Sequence, residues 1–244
     1  MSKIKTTMTA KGNRKLYRTL QKHLNNMPIS FPKTKDGADI RVLQYLFTED
    51  EARIALHLGY EPKGTKAIQE SMRVTTTSLE ELEKSLDEMC RKGSITSRNK
   101  EGIWEYFLHP WVVGLYEMAL LSAWRDNRTA EPLQNMGDEF KKKFFLNTVV
   151  LDQLMFRTIP INESVKPENH ISTYDEIYKI IEESEGKFVV MPCVCKTRGK
   201  NEGAPCNATN RIETCMAIGN YGDTNAKAGI GREISKEEAL EIAR

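Results

Sequence analysis

Four cysteines fall within twenty-three residues late in the chain: Cys193, Cys195, Cys206 and Cys215, in MPCVCKTRGKNEGAPCNATNRIETC. No other feature constrains the fold as strongly. In a reducing compartment, thiols this dense are explained by a bound inorganic centre more readily than by packing or structural disulfides, and such a centre requires the backbone to fold back until the sulfurs converge. The start, MSKIKTTMTAKGNRK, is positively charged but has no apolar stretch behind it of the kind a secretory signal carries, so a cytoplasmic protein is expected. The longest apolar stretches, Trp111 to Leu115 and Phe144 to Met155, fall well short of the ~20 residues that cross a bilayer, so no membrane span is expected.

The 244 residues, 39% hydrophobic and 29% charged, suffice for one sizeable core or two small ones. A net charge of +2 selects no partner, but its distribution is uneven. Between Met1 and Lys35 lie nine basic residues (Lys3, Lys5, Lys11, Arg14, Lys15, Arg18, Lys22, Lys33, Lys35) and no acid. They read as a solvated amphipathic arm and helix around Leu16, Leu20 and Leu24, or as a docking surface for an acidic partner or phosphate.

From about Asp36 to Pro110 the order reads helix, helix, helix, hairpin. Thr48 and Glu51 form a capping box opening a helix through Leu58, a short helix follows near Lys66 to Met72, and Ser78 with Glu81 caps a third that Gly93 ends. Ser94 to Arg98 and Trp104 to Leu108 alternate like strands around Asn99 to Gly102. Three helices closed by a two-stranded wing describe a winged helix. Its third helix carries Glu80, Glu81, Glu83, Asp87 and Glu88 against Lys84, Arg91 and Lys92, a balance that DNA phosphate would repel, so nucleic acid is disfavoured and protein interaction is the expected role. Cys90, on its apolar face, reads as a small core residue.

Trp111 to about Ile159 reads as wholly helical, with Phe140, Phe144, Phe145, Val149, Leu151, Leu154 and Met155 in the core and Lys141 to Lys143 on a solvated face. His23, His57, His109 and His170 are scattered with no HxxxH pair and read as structural or surface residues. Beyond Pro160, Thr173 and Glu176 cap a helix carrying Ile177, Ile180 and Ile181. Lys187 to Met191 then reads as a buried strand delivering the chain into Cys193. Cys193 and Cys195, two apart in an extended segment, point to the same side. Lys196 to Pro205 reads as a tight loop rich in glycine, and Cys215 as the start of a helical turn, ETCMAIG. Lys196, Arg198, Lys200 and Arg211 surround the cysteines, with Glu202 and Glu213 opposing them.

The spacing C-x-C-x10-C-x8-C suits a cubane iron–sulfur cluster and also tetrahedral zinc, since both accept four thiolates; a disulfide pair or free thiols remain a third option. No phosphate-binding glycine loop, HExxH or nucleophile elbow accompanies it, and GIGRE near Gly229 is a lone glycine pair. No catalytic residues are therefore assigned.

Several stretches carry a resemblance: FPKTKDGADIRVLQYLFTEDEARIALHL, HPWVVGLYE, FRTIPINESV, VVMPCVCK, the ETC triplet and GREISKEEALEIAR. In content and order they resemble prokaryotic ferredoxin-type 4Fe-4S proteins with an N-terminal winged-helix domain. The resemblance implies a 4Fe-4S cluster on Cys193, Cys195, Cys206 and Cys215 and electron transfer in anaerobic metabolism. Similar proteins generally continue past the GREIS helix into C-x2-C-x2-C-x3-CP motifs; this chain has none, which reads as a natural short form or as a truncated multi-cluster protein.

The expected fold is mainly α with small β (α+β): a basic N-terminal arm and helix (1–35), a winged-helix-like domain (36–110), a helical connecting segment (111–159) and a Cys-rich iron–sulfur binding region (160–244). The expected function is an electron-transfer or accessory subunit that docks to a redox partner protein or larger oxidoreductase complex, with homo-oligomerisation a further option. The alternatives are an iron–sulfur redox-sensing winged-helix regulator and a zinc-stabilised interaction module.

Overall fold

A computed structural model describes residues 13–73, 78–150, 174–201 and 203–244. The first helix, α1 (Arg14–Asn25), is the amphipathic one expected around Leu16, Leu20 and Leu24, and all three are buried. It packs on α2 (Ala38–Leu46) and α3 (Glu49–Ala55), and the Tyr17 hydroxyl donates to the Phe47 carbonyl at 2.8 Å. The capping box of α3 is formed in both directions: the Glu51 N–H donates to Thr48 Oγ1 and the Thr48 N–H to Glu51 Oε2. Helix α2 is additional to the three helices expected between Asp36 and Pro110.

A two-residue strand, β1 (Lys63–Gly64), leads into α4 (Thr65–Met72) and α5 (Leu79–Arg91), whose cap is the expected Ser78–Glu81 box. The hairpin follows as β2 (Thr96–Lys100) and β3 (Ile103–Phe107), with β1 completing an antiparallel sheet of order β1-β3-β2. Leu82, Leu86, Met89 and Cys90 are buried on the inner face of α5, so Cys90 is a core residue.

The connecting segment departs from the expectation of continuous helix. Trp111 to Leu115 is bent: Val112 and Val113 are extended and Gly114 has φ 155°. Two β-branched residues followed by glycine favour that path over helix. The helices that follow are α6 (Tyr116–Arg125), the single turn α7 (Glu131–Gln134) and α8 (Gly137–Phe145). Phe140 is buried as expected and Phe144 partly so, but Phe145 lies at the surface, 58% exposed. Successive helical positions diverge by about 100°, so Phe140 and Phe144 share a face and Phe145 leaves it. The core roles expected for Leu151, Leu154 and Met155, the Thr173 cap and the 159/160 boundary lie outside the described residues, and nothing is described of the Val149 side chain.

The last part comprises α9 (Tyr174–Glu183), β4 (Phe188–Pro192), α10 (Val194–Asn201), β5 (Glu213–Ile218), α11 (Asn220–Ala228), β6 (Arg232–Ile234) and α12 (Lys236–Ala243). Its antiparallel sheet has the order β5-β4-β6. The strand expected at KFVVM is β4, and it is the central one. Its alternation separates two cores. Phe188 and Val190 face Ile181 of α9 and Ala239 of α12, whereas Val189, Met191 and Ala217 join the same core as α1 to α8. Of the isoleucines expected on α9, Ile181 is buried, while Ile177 and Ile180 are exposed.

Helix α11 fastens this sheet to the hairpin. Thr224 Oγ1 donates to the Ser97 carbonyl at 2.7 Å, and Lys227 Nζ sits 2.7 Å from Asp87 and 4.1 Å from the centre of the Trp104 ring. Arg125 donates to the Ala228 and Gly229 carbonyls at the end of α11 and to the Arg91 carbonyl at the end of α5, satisfying two helix C-termini at once. Among the described residues no helix is long and apolar enough to cross a membrane.

One buried charge carries a prediction. Asp39 is fully buried; its carboxylate accepts from Thr34 Oγ1 at 2.9 Å and pairs with Arg18, which also donates to Gln21 at 3.1 Å. Arg18→Met leaves that carboxylate without its cation and should destabilise the fold by about 3 kcal/mol. In the Asp39→Asn background the same substitution should cost clearly less, as read from urea midpoints; equal losses in both backgrounds would show that the pair is not coupled.

Candidate metal centre

Met191, at the end of β4, is the register partner of Cys215 on β5, so their side chains share the sheet face turned toward the main core. Cys193 follows two residues later. Its N–H donates to the Ile212 carbonyl at 2.8 Å, continuing the ladder, and its carbonyl accepts from the Thr197 N–H at 2.9 Å, opening α10. Cys193 therefore stands where a strand becomes a helix. It is buried, Cys195 in the first turn of α10 is exposed, and Cys206 and Cys215 are half-buried.

Three expectations are corrected here. Cys193 and Cys195 do not lie in one extended segment, because α10 begins at Val194 and helical rotation turns Cys195 outward. Residues 196–201, the first part of the Lys196–Pro205 stretch expected as a tight loop, belong to that helix, and the turn back is tied by the Ala204 N–H donating to the Gly199 carbonyl at 2.8 Å. The ETCMAI segment is a strand rather than a helical turn. Pairing with the buried apolar β4 satisfies its backbone groups, and this outweighs a local propensity that is weak in either direction.

The thiols interact. Cys215 donates a hydrogen bond to the Cys193 sulfur. Burial works to raise the Cys193 thiol, but it is outweighed by the Lys196 N–H, the Cys215 thiol, the Cys195 N–H and the Thr214 side chain, which together hold it below the ordinary thiol range. The partner moves the opposite way: burial, the hydrogen bond to Cys193 and the nearby Cys193 and Cys195 push Cys215 up to about 11. Of the two, Cys193 is therefore the thiol that gives up its proton first as pH rises, and Cys215 the one that keeps it. Cys206 is lowered by the N–H groups of Ala208 and Thr209, with Lys196 adding positive charge and Cys193 opposing.

Cys193 lies within electrostatic reach of Cys206 and Cys215, and Cys215 within reach of Cys195, but the four thiols are not assembled as a closed site. Among the described residues no three His, Cys, Asp or Glu side chains stand as a ready metal-binding group. Cys193 and Cys215 form the contact, and a guest held by all four requires Cys195 and Cys206 to close onto that pair. The donor set suits such a guest: four thiols, two of them biased toward thiolate by backbone N–H groups. Cys90 belongs elsewhere, buried in α5 with its thiol pushed up to about 12 by desolvation.

The basic surroundings are resolved unevenly. Lys196 bears on both Cys206 and Cys215, whereas Arg211 is engaged by the Glu213 carbonyl at 3.0 Å and by Glu238 at 3.8 Å. Glu213 pairs with Arg232 at 3.1 Å, and Glu202 lies outside the described residues. Sequence reasoning missed Thr214 and the N–H groups of Lys196, Ala208 and Thr209. Backbone donors have no side-chain signature, and only the ETC triplet hinted at Thr214. His23 is bound to the Leu58 carbonyl at 2.6 Å, and His170 lies outside the described residues. No protein family, curated protein or solved structure matches this chain.

Proposed function

We propose that Cys193, Cys195, Cys206 and Cys215 hold a 4Fe-4S cluster and that the chain is a cytoplasmic electron-transfer or accessory subunit of a larger anaerobic redox system, built on a winged-helix scaffold. The reading is carried by the Cys193–Cys215 contact, with Cys195 near Cys215 and Cys206 near Cys193. A cubane held by four protein thiolates exchanges electrons and leaves no iron position for a substrate, which favours a carrier over a catalyst. The residues' own contribution is electrostatic. N–H groups directed at Cys193 and Cys206, together with Lys196, stabilise negative charge on sulfur, and burial of Cys193 limits access of water.

The winged-helix part of the reading is supported by α3, α4 and α5 followed by the β2–β3 hairpin, with β1, between α3 and α4, completing the sheet. Glu80, Glu81, Glu83 and Glu88 are all exposed on α5, which favours a protein partner over DNA phosphate. Zinc is the second reading. A direct contact between Cys193 and Cys215 suits two ligands of one ion, with Zn–S of about 2.3 Å, better than two corners of a cubane.

Purification without oxygen tests both. The cluster reading expects brown protein with about four iron and about four sulfide per chain and a broad visible band bleached by dithionite. Colourless protein holding about one zinc per chain replaces it with the second reading. Protein lacking both metals overturns both.

A further inference from the structure

A cavity of about 540 Å³ lies between the hairpin side of the molecule and the second sheet, with Met118, Met191, Ala217 and Ala228 among its walls. Its volume is that of a small-molecule site, and its lining is predominantly apolar. It opens beside Val113 and Tyr221, which are 69% and 62% exposed. Met191 and Ala217 lie on the sheet face that also carries Cys215, so the cavity adjoins the thiol region from inside the molecule.

Polar groups are few and mostly committed. The Thr224 hydroxyl donates to the Ser97 carbonyl, and the Asn225 amide donates to the Tyr221 carbonyl, both at 2.7 Å. His109 differs. It is half-buried, its ring leans on Phe107 at 5.5 Å, and Gly114 runs so close that a Cβ there would meet the His109 Cβ at 2.6 Å. Among the described residues its imidazole has no hydrogen-bond partner. Half-buried in the cavity wall and without a partner among the described residues, the ring is placed to meet a polar group on a molecule in the cavity. Desolvation lowers its pKa to about 4, which keeps the ring neutral at pH 7. With no Asp, Glu, Lys or Arg among the described lining residues, none of these compensates a charged guest.

We propose that this cavity binds an uncharged, largely apolar ring compound bearing one hydrogen-bonding group, which His109 receives. The site is independent of what the four thiols hold. Apolar wall supplies the binding free energy and the imidazole orients the guest, so binding survives loss of the polar contact but selectivity does not.

The test uses the full chain and an uncharged fluorescent probe, N-phenyl-1-naphthylamine, displaced by 2-naphthol or by naphthalene. Saturable one-to-one binding is expected, with 2-naphthol displacing the probe about tenfold more effectively, the size of one hydrogen bond. His109→Phe should abolish that preference while retaining probe binding. Met118→Trp and Ala228→Trp, which fill the cavity from two sides, should each weaken probe binding about tenfold or more, with unchanged circular dichroism certifying the fold. Absence of saturable binding by the parent protein, folded tryptophan variants that bind like the parent, or an unaltered 2-naphthol preference in His109→Phe would each overturn the proposal.

Discussion

Cys215→Ser is expected to remove all bound metal, and Cys206→Ser to do the same, while Cys90→Ser retains the full content. Cys215 faces inward on β5, half-buried and bonded to Cys193; a serine there keeps the strand but offers an oxygen that stays protonated at neutral pH and binds soft metals poorly. Cys206 sits in a loop whose N–H groups already favour its charged form. Cys90 is a desolvated thiol in the α5 core, so its replacement changes packing and leaves the donor set alone. Since metal binding contributes folding free energy directly, the first two variants should also lose protection in β5 and α10, read by hydrogen exchange. Metal content unchanged in Cys215→Ser, or lost in Cys90→Ser, would defeat the ligand assignment.

Gly222→Ala is expected to destabilise the protein by about 3 kcal/mol, although alanine is the better helix former by about 1 kcal/mol. Gly222 lies in α11, where a Cβ would fall 1.8 Å from the Lys187 carbonyl oxygen and 3.2 Å from that of Ala217. Both obstacles are backbone, so relief requires α11 to lift from the sheet. That movement would strain the Thr224 and Lys227 contacts that tie α11 to the hairpin and α5. Gly59→Ala, with nothing within 4 Å of the added carbon, should stay within about 0.5 kcal/mol. Urea midpoints compare the two; similar values would mean that α11 is not held closely against β4.

Much of the local structure was legible because its causes are local. Thr48–Glu51 and Ser78–Glu81 satisfy their helix starts from within four residues, and the spacing of Leu82, Leu86, Met89 and Cys90 marks one face of α5. The apolar KFVVM run marked the strand that became central. ETCMAI was misread because its strand state depends on β4, some two dozen residues earlier. Trp111 to Leu115 departs from the expected helix because helical periodicity registers its apolar run but not the two β-branched residues and the glycine inside it, which disfavour helix.

By itself the sequence determined which thiols are available and which segments bury an apolar face, since composition and periodicity are properties of the chain alone. Tertiary structure decided how those thiols meet: Cys193 with Cys215 across a strand pair, Cys195 turned outward by α10, and Cys206 brought back by the loop. It also decided that a half-buried His109 faces a cavity walled by residues about a hundred positions apart, such as Met118 and Ala217. The physical reason is that burial, desolvation and backbone N–H donation act between groups distant in sequence, and only the packed chain brings those groups together.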